Sequence, residues 1–379
     1  MNRLFTFLFI FICTSLSIAQ VSEGPALQIN TANKAASRGN SFNPDIGINT
    51  LFLYQNSNRG NDATSAERNG LSLQEAELQF SSDVDPYWRF VGTFSLHQEV
   101  EVDSTTTPPT RTAEYVFEPE EAFAESLELP FITFKAGKFK AAFGKHNQLH
   151  THAFAFVDAP ISNKVLLGDE GLNDVGISIA ALIPVPWFSD FTLQGFSGQG
   201  EGLDYFHSPS ANTSVGVARL RNLWDFSDNF TFELGLSAAS GENTTSKATK
   251  LYGGDLTFKW RADKSHALIW STEVIQRDQN IATDEKGKGL ASWIQWQLGQ
   301  RWWIQVRGET LEMKDQDPVV LTPIPEYQKK QSLLVGFIPS EFSGIRLQYD
   351  QLNDGAVDDE KKISLQFNYS IGAHPAHVY

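Results

Sequence analysis

The sequence predicts an all-β fold, a closed antiparallel transmembrane β-barrel of about sixteen strands (roughly fourteen to eighteen). Three observations lead to this prediction. Segments of about ten residues alternate apolar and polar side chains, which is the period of a strand with two different faces. The links between these segments are alternately short and long. After the N-terminal leader, no stretch reaches the roughly 18 consecutive apolar residues of a membrane-spanning helix.

The N-terminus has the pattern of a secretory signal peptide, residues 1–19. Arg3 precedes an apolar run from Leu4 to Leu16, and the small residue Ala19 suits cleavage near that position. We therefore expect an exported chain. Cleavage removes Cys13, the one cysteine of the sequence, so the mature protein has to be stabilised without a disulfide.

The barrel itself is predicted at 46–372. Residues 20–45 are polar with no clear period, so we expect a loosely docked segment before the barrel, and residues 373–379 form a short tail after it. An even number of strands returns both ends of the barrel to one side of the membrane. The predicted strands are 46–55, 70–82, 87–101, 112–127, 131–140, 174–184, 189–197, 213–225, 229–240, 249–261, 266–277, 289–298, 301–313, 328–338, 344–353 and 360–372.

The links favour a membrane barrel over a soluble sandwich. After even-numbered strands they are brief, as in Ser82 to Tyr87, and after odd-numbered strands they are mostly longer and polar, as in Asn56 to Asn69. Short periplasmic turns and long external loops produce this alternation in the bacterial outer membrane. A barrel of about sixteen strands encloses a water-filled channel. The net charge of −15 argues against a nucleic-acid partner, and outer-membrane lipid is the expected surrounding.

One link is much longer than the others. Residues 141–173 follow the fifth strand as the third external loop, and we predict that this loop folds inward and narrows the lumen. Lysines precede it and carboxylates close it, so opposite charges would face each other across a constriction and orient dipolar solutes. Solvated rim lysines and an ordinary acidic turn remain alternative interpretations. The predicted constriction residues are Lys135, Lys138, Lys140, Lys145, Asp169, Glu170 and Asp174.

Strand parity sets a condition on the lysines. Strict alternation puts Lys138 and Lys140 on the same face as Ile132 and Phe134. All four lysines can therefore serve the lumen only if Gly137 is a bulge that switches the two faces.

A short block of this region resembles a known family. The stretch from Phe134 to Gly144, FKAGKFKAAFG, followed by a return into a strand at Gly171 to Ile177, resembles the strand-and-loop block of the phosphate-selective porin O/P family. Nearly all of the mature chain is similar to the Gram-negative porin architecture. The resemblance implies a homotrimeric channel for small hydrophilic solutes. The final strand, Ile363 to Ile371, also resembles the C-terminal signal that the outer-membrane insertion machinery reads.

The polar faces of the predicted strands carry both signs of charge. An anion-selective pore needs a lumen dominated by lysine and arginine. Neither sign dominates here, so phosphate selectivity is not carried over from the resembled family. The expected lumen-lining residues are Glu75, Glu77, Arg89, Glu99, Asp255, Lys259, Arg307, Glu309 and Arg346.

Histidines offer two possible metal sites. The constriction loop has an H-x3-H-x-H spacing, which together with Asp158 or Glu170 could supply nitrogen and oxygen ligands to Zn²⁺ or Cu²⁺. Loop histidines are also commonly solvated or hydrogen-bonded, so no cofactor is expected and zinc is the minority hypothesis. The candidate ligands are His146, His150 and His152 in the loop, and His374 and His377 in the tail.

These patterns together predict a passive diffusion channel in the bacterial outer membrane, with a mixed-charge constriction that admits small hydrophilic solutes or ions. Two alternatives stay open. One is a metal-responsive zinc uptake channel, and the other is a blocked barrel whose loops serve adhesion or structure. No spacing marks an activated nucleophile and no nucleotide-binding fingerprint follows a strand, so an enzyme is not predicted.

Overall fold

The computed structural model describes residues 44–59, 69–103, 110–200, 205–207, 214–281, 283–314, 325–356 and 358–372. The predicted signal peptide, nearly all of the segment 20–45, and the tail 373–379 with His374 and His377 lie outside the described residues. Among the described residues, no helix is long and apolar enough to cross a membrane.

Sixteen strands form one closed antiparallel barrel, in which each strand pairs with its neighbours in the chain and the first pairs with the last. The predicted fold class and strand number are confirmed. The strands are β1 Asp45–Ser57, β2 Gly70–Asp83, β3 Trp88–Asp103, β4 Thr110–Ser126, β5 Ile132–Lys140, β6 Asn173–Leu182, β7 Phe188–Phe196, β8 Val215–Ser227, β9 Phe230–Glu242, β10 Ala248–Arg261, β11 His266–Asn280, β12 Asp284–Leu298, β13 Trp302–Lys314, β14 Tyr327–Ser340, β15 Ser343–Asn353 and β16 Glu360–Gly372.

The barrel wall has an apolar outer face and a polar inner face. In β13, Ile304 and Val306 are exposed, whereas Gln305 and Arg307 between them are buried. Trp303 interrupts the polar register in the sequence, and it packs inside the barrel against Ala267 and Ile269. Closure pairs the backbone of every strand on both edges, which is what hydrocarbon surroundings demand.

Four of the described strand pairs have a register shift, and two of these shifts lie in β2 and β4. In β2 the pairing with β1 skips Gln74, and in β4 the pairing with β3 skips Glu120. A bulge interrupts the alternation of faces. Glu120 and its neighbour Glu121 consequently both reach the same imidazole inside the barrel, that of His150.

The bulge at Gly137 that would let all four lysines serve the lumen is not there. Strand β5 pairs with β6 in uninterrupted register from Ile132 to Lys140, so Lys138 keeps the face of Ile132. Gly137 has a φ of 138°, and a Cβ on it would overlap the Ala122 carbonyl of β4. Glycine is therefore needed for the close approach of two strands, and the extra residue lies in β4 instead.

The long link between β5 and β6 packs against inward-facing side chains of many strands. It contains two single 3₁₀ turns, His146–Gln148 and Thr151–Ala153, and one short helix, α1, Ile161–Leu167. We call residues 141–172 the constriction loop. One apolar cluster joins its Phe143, Leu166, Leu167 and Leu172 to side chains of the wall such as Phe139, Phe196, Val217, Leu251, Ile275 and Leu311. A second joins its Phe156 and Val157 to Leu53, Trp293 and Leu334.

Two glycines of β12 make room for α1. A Cβ on Gly289 would overlap the Ser162 side chain, and one on Gly287 would overlap Leu166. Both α1 residues are fully buried. The short helix therefore lies directly on the backbone of β12, because this stretch of the wall has no side chains to hold it away.

Candidate functional site

The first half of the constriction loop is hydrogen-bonded to strands β9 to β11. The Gly144 amide donates to Ser237 Oγ at 3.0 Å, and the His146 amide lies 3.3 Å from Glu273 Oε2. The Lys145 ammonium donates to Thr257 Oγ1 at 2.8 Å. Each of these wall residues is a buried polar group of the inner face, so the loop supplies partners that a water-filled lumen would otherwise provide.

Asp158 is the strongest polar anchor of the second half. Its Oδ1 accepts from Arg307 Nη2 at 2.7 Å and from Gln348 Nε2 at 2.9 Å, and its Oδ2 accepts from Lys330. Burial alone would raise the pKa of Asp158, but Lys330 and then Arg307 hold it well below its usual range. The carboxylate therefore stays charged and binds the loop to β13, β14 and β15.

Backbone groups on both sides of Asp158 are also bound by the wall. The Ile161 amide at the start of α1 donates to Glu309 Oε2 at 2.6 Å, and the Val157 amide donates to Gln348 Oε1 at 2.9 Å. The Phe154 carbonyl accepts from Arg346 Nη1 at 2.6 Å. Arg307, Glu309 and Arg346 were predicted to line the lumen, and they hold the loop there.

His150 lies between two adjacent carboxylates. Its Nδ1 is 2.6 Å from Glu120 Oε2 and its Nε2 is 2.9 Å from Glu121 Oε2. Burial alone would lower the pKa of His150, but Glu77 and the two hydrogen-bonded carboxylates raise it well above its ordinary value. With acceptors at both ring nitrogens, the side chain is an imidazolium that donates twice.

His146 is separate from the other two loop histidines. Its ring lies against Phe154 with centroids 4.3 Å apart, while the rings of His150 and His152 are stacked 6.0 Å apart. Burial lowers the pKa of His146 to about 3, so this imidazole is neutral at physiological pH. The structure therefore brings two of the three loop histidines together. Neither Asp158, which binds Arg307, nor Glu170 is among their ion-pair partners in the described chain.

The four lysines of the predicted constriction have different surroundings. Lys135 lies over the Phe123 ring at 4.0 Å, and Lys138 donates to the Pro119 carbonyl. Lys140 is 3.9 Å from Glu120 Oε2, and Lys145 is 3.8 Å from Glu233 Oε1. They do not form one basic row, because β5 alternates without a bulge and Lys145 contacts β9 and β10, whereas the partners of the other three lie on β4.

The predicted carboxylates are also dispersed. Asp169 is exposed and pairs with Lys164 at 3.5 Å. Burial raises the pKa of Glu170 although Lys140 opposes this shift. Asp174 is buried and accepts from Ser197 Oγ at 2.7 Å and the Gly198 amide at 2.8 Å, so it orders the link after β7.

The remaining lumen-facing charges are mostly neutralised in pairs. Each pair joins residues on the inner face of one strand or of nearby strands. Asp255 accepts from Arg219 at 2.7 and 3.0 Å, Arg307 is 2.8 Å from Glu309, Arg89 is 2.8 Å from Asp83, and His97 is 3.3 Å from Glu99. Lys259 is half-buried on β10. Arg219 was absent from the predicted set, although its strand alternates clearly.

A cavity of about 230 Å³ lies between the constriction loop and the wall formed by β1, β2 and β14 to β16. Sequence reasoning missed three of its charged residues, Lys330, Glu360 and Lys362, because they lie on strands far from the loop in the chain. Only inward parity could have indicated them. The charged lining consists of Asp158, Asp350 and Glu360 and of Lys164, Lys330 and Lys362.

No family model matches the chain. An uncharacterized protein of Aquifex aeolicus (strain VF5) is 28% identical over 354 residues, covering 83% of this chain and 71% of that protein.

Solved structures show the fold. OprB of Pseudomonas putida at high pH matches with a TM-score of 0.59 and 9% identity, covering 87% of this chain and 94% of that one. An anion-selective porin from Comamonas acidovorans matches with a TM-score of 0.53 and 11% identity, covering 86% and 98%. The trimer form of OmpT, an outer membrane protein of Vibrio cholerae, matches with a TM-score of 0.53 and 7% identity, covering 86% and 99%. The architecture is therefore that of outer-membrane porins.

An outer-membrane location follows from the wall itself. The barrel is closed, its outer face exposes large apolar side chains from nearly every strand, and its inner face carries buried charges. Closed antiparallel barrels with this distribution span the bacterial outer membrane.

Proposed function

We propose that the protein is a passive diffusion channel for small hydrophilic solutes or ions, with a mixed-charge constriction between the constriction loop and the β1–β16 side of the wall. The observation that carries this proposal is the polar cavity at that place, lined by both acidic and basic side chains. Opposed fixed charges attract dipolar solutes and disfavour apolar ones.

The cavity charges favour weak ion selectivity. Asp158 and Asp350 contact Lys330, and Asp158 also contacts Arg307, so two carboxylates meet two cations. The other charged residues of the lining are the cations Lys164 and Lys362 and the carboxylate Glu360. A small change in this set should therefore shift the preference between anions and cations.

Single-channel recording in planar bilayers tests the proposal. We expect steady ionic steps and a reversal potential near zero in a tenfold KCl gradient. Lys362→Glu should shift the reversal potential toward cation selectivity. The matched control is Lys361→Glu, one residue away on the opposite face of β16, where Lys361 is exposed. Absence of steady steps from the folded wild type would contradict the channel, and equal shifts in both variants would contradict this position of the constriction.

A blocked barrel with a role in adhesion or structure is the second candidate. The observation that favours it is the packing of the constriction loop, whose two apolar clusters reach strands on many sides of the wall. The same recordings separate the two functions, because a blocked barrel gives no steady ionic steps.

Assembly forms part of the proposal. We infer a homotrimer, in line with the porin resemblance and with the trimer form of the structurally similar OmpT. Strand β16 would serve as the signal for the insertion machinery, since it alternates up to Gly372. Native mass spectrometry of detergent-extracted protein tests the trimer.

A further inference from the structure

An acid–histidine cluster lies where the constriction loop meets strands β2 and β4. Four carboxylates of the wall surround two imidazoles of the loop, and the polar residues Thr93 and Ser95 of β3 are buried on the strand between. The cluster consists of Glu75, Glu77, Glu120, Glu121, His150 and His152.

Two of these carboxylates have buried oxygens that lack a hydrogen bond. Glu75 is 6% exposed and Glu77 is 1% exposed. Within the part of the chain that the structure describes, three of their oxygens accept no hydrogen bond: both oxygens of Glu77 and the Oε1 of Glu75. Leaving buried carboxyl oxygens without a hydrogen bond is costly, and a bound cation would supply the partner that they lack.

The histidines of the cluster have different roles. Both nitrogens of His150 are engaged by Glu120 and Glu121, so this side chain is not available as a ligand. His152 Nδ1 lies 3.3 Å from Glu77 Oε2. One atom each of Glu75, Glu77 and His152 lies within 4.8 Å of the other two. An ion bonded to each at about 2.1 Å needs only a small closing rotation of these side chains.

The distribution of ion pairs supports a cation at the same place. Lys140 contacts Glu120, and His150 contacts both Glu120 and Glu121. Among the described ion pairs, Glu77 meets only histidines and Glu75 meets none. A divalent cation would bring both of these carboxyl groups a common partner.

We propose that Glu75, Glu77 and His152 bind one divalent first-row transition metal ion, with zinc as the reference. Two carboxylate oxygens and one imidazole nitrogen are ligands that zinc accepts, and a fourth position is left for water or a solute. Because His152 belongs to the constriction loop and the carboxylates to β2, the ion tethers the loop to the wall. The site goes beyond the proposed channel function, since it would exist equally in a blocked barrel.

Zinc binding to the purified full chain tests the proposal without any transport assay. Chelator-stripped protein in detergent is titrated with ZnCl₂ by calorimetry, in a background where His374 and His377 of the tail are alanine. We expect one zinc per chain. Glu77→Gln, which keeps the shape and removes the charge, should weaken binding at least 100-fold, and His152→Ala at least tenfold. The matched control is His146→Ala, because His146 is a buried loop histidine outside the cluster. This variant should bind zinc with the affinity of the wild type.

Two results would overturn the site. One is the absence of saturable binding by the wild type, and the other is wild-type affinity in both Glu77→Gln and His152→Ala. His152 is in the loop and outside the strands, so its variant keeps the test decisive if Glu77→Gln fails to form a barrel. The tether is checked by hydrogen exchange of peptides spanning residues 149–153, which zinc should slow about tenfold in the wild type and leave unchanged in His152→Ala. Equal exchange with and without zinc in the wild type would refute the tether.

Discussion

Replacing Asp158 with asparagine should release the second half of the constriction loop while the barrel stays folded. The amide keeps the shape of the carboxylate but removes the negative charge that meets Arg307 and Lys330. Both cations are almost completely buried. Each retains another carboxylate, Arg307 with Glu309 at 2.8 Å and Lys330 with Asp350 at 3.7 Å, so neither is left without a partner.

The size of the effect follows from these partners. Removing one member of a buried ion pair costs about 3 to 5 kcal/mol, and the retained carboxylates place this case at the lower end. A loss of about 3 kcal/mol in the free energy of loop docking corresponds to a roughly 160-fold increase in the open fraction of the loop. The fold of the wall should be unaffected, because the backbone pairing of its strands does not involve Asp158.

Hydrogen exchange measured by mass spectrometry provides the assay. Peptides covering residues 154–161, which include the amides of Val157 and Ile161, should exchange about two orders of magnitude faster in Asp158→Asn. Peptides covering 141–147 should be unchanged, because Gly144 and His146 are bound by other strands. Asp169→Asn is the control variant, since Asp169 is exposed. Unchanged exchange at 154–161, or equal acceleration in both regions, would refute the reasoning.

Three further predictions concern the same loop. Gly289→Leu should displace α1 from β12, because its side chain would occupy the place of Ser162, and exchange across Ile161–Leu167 should rise while the barrel still resists heat on gels. Phe143→Ala should weaken docking of the first half of the loop by about 3 kcal/mol, because Phe143 is fully buried. Hydrogen exchange of peptides covering 141–147 measures this effect, and unchanged exchange there would contradict the prediction. The pKa of Asp158 is depressed in the folded state. Docking of the loop through this carboxylate should therefore be complete above about pH 4, and it should weaken as the pH falls toward the pKa of Asp158 in the folded protein. Exchange at 154–161, corrected for intrinsic rates, should show this loss at pH 3 in the wild type and not in Asp158→Asn.

The barrel could be predicted because each strand carries its own signal. The alternation of Ile304, Gln305, Val306 and Arg307 alone indicates one lipid face and one lumen face, and no distant residue is needed to recognise it. Link lengths then give the order and the sidedness of the strands. The long loop was recognisable for the same reason, since its length is a local property.

The chemistry of the loop could not be predicted in the same way. One partner of Asp158 is Lys330, at a sequence separation of 172 residues, and nothing local in either segment marks the other. The bulge at Glu120 has no glycine to signal it, whereas Gly137, which suggested a bulge, serves a close approach of strands. Parity identified Glu77, but only the closed barrel shows that it meets His152.

The extra residue in β4 has a consequence for how such a site could arise. Thr93 pairs with Glu121 and Phe94 with Pro119, so the strand keeps a consistent inner face on each side of Glu120. A chain lacking Glu120 would continue as an ordinary strand, with the same residues toward lipid. We expect the deletion variant to fold with wild-type heat resistance, and failure to form the barrel would contradict this. A carboxylate can thus be gained or lost beside the loop by a single inserted or deleted codon, without any compensating change in the surrounding wall.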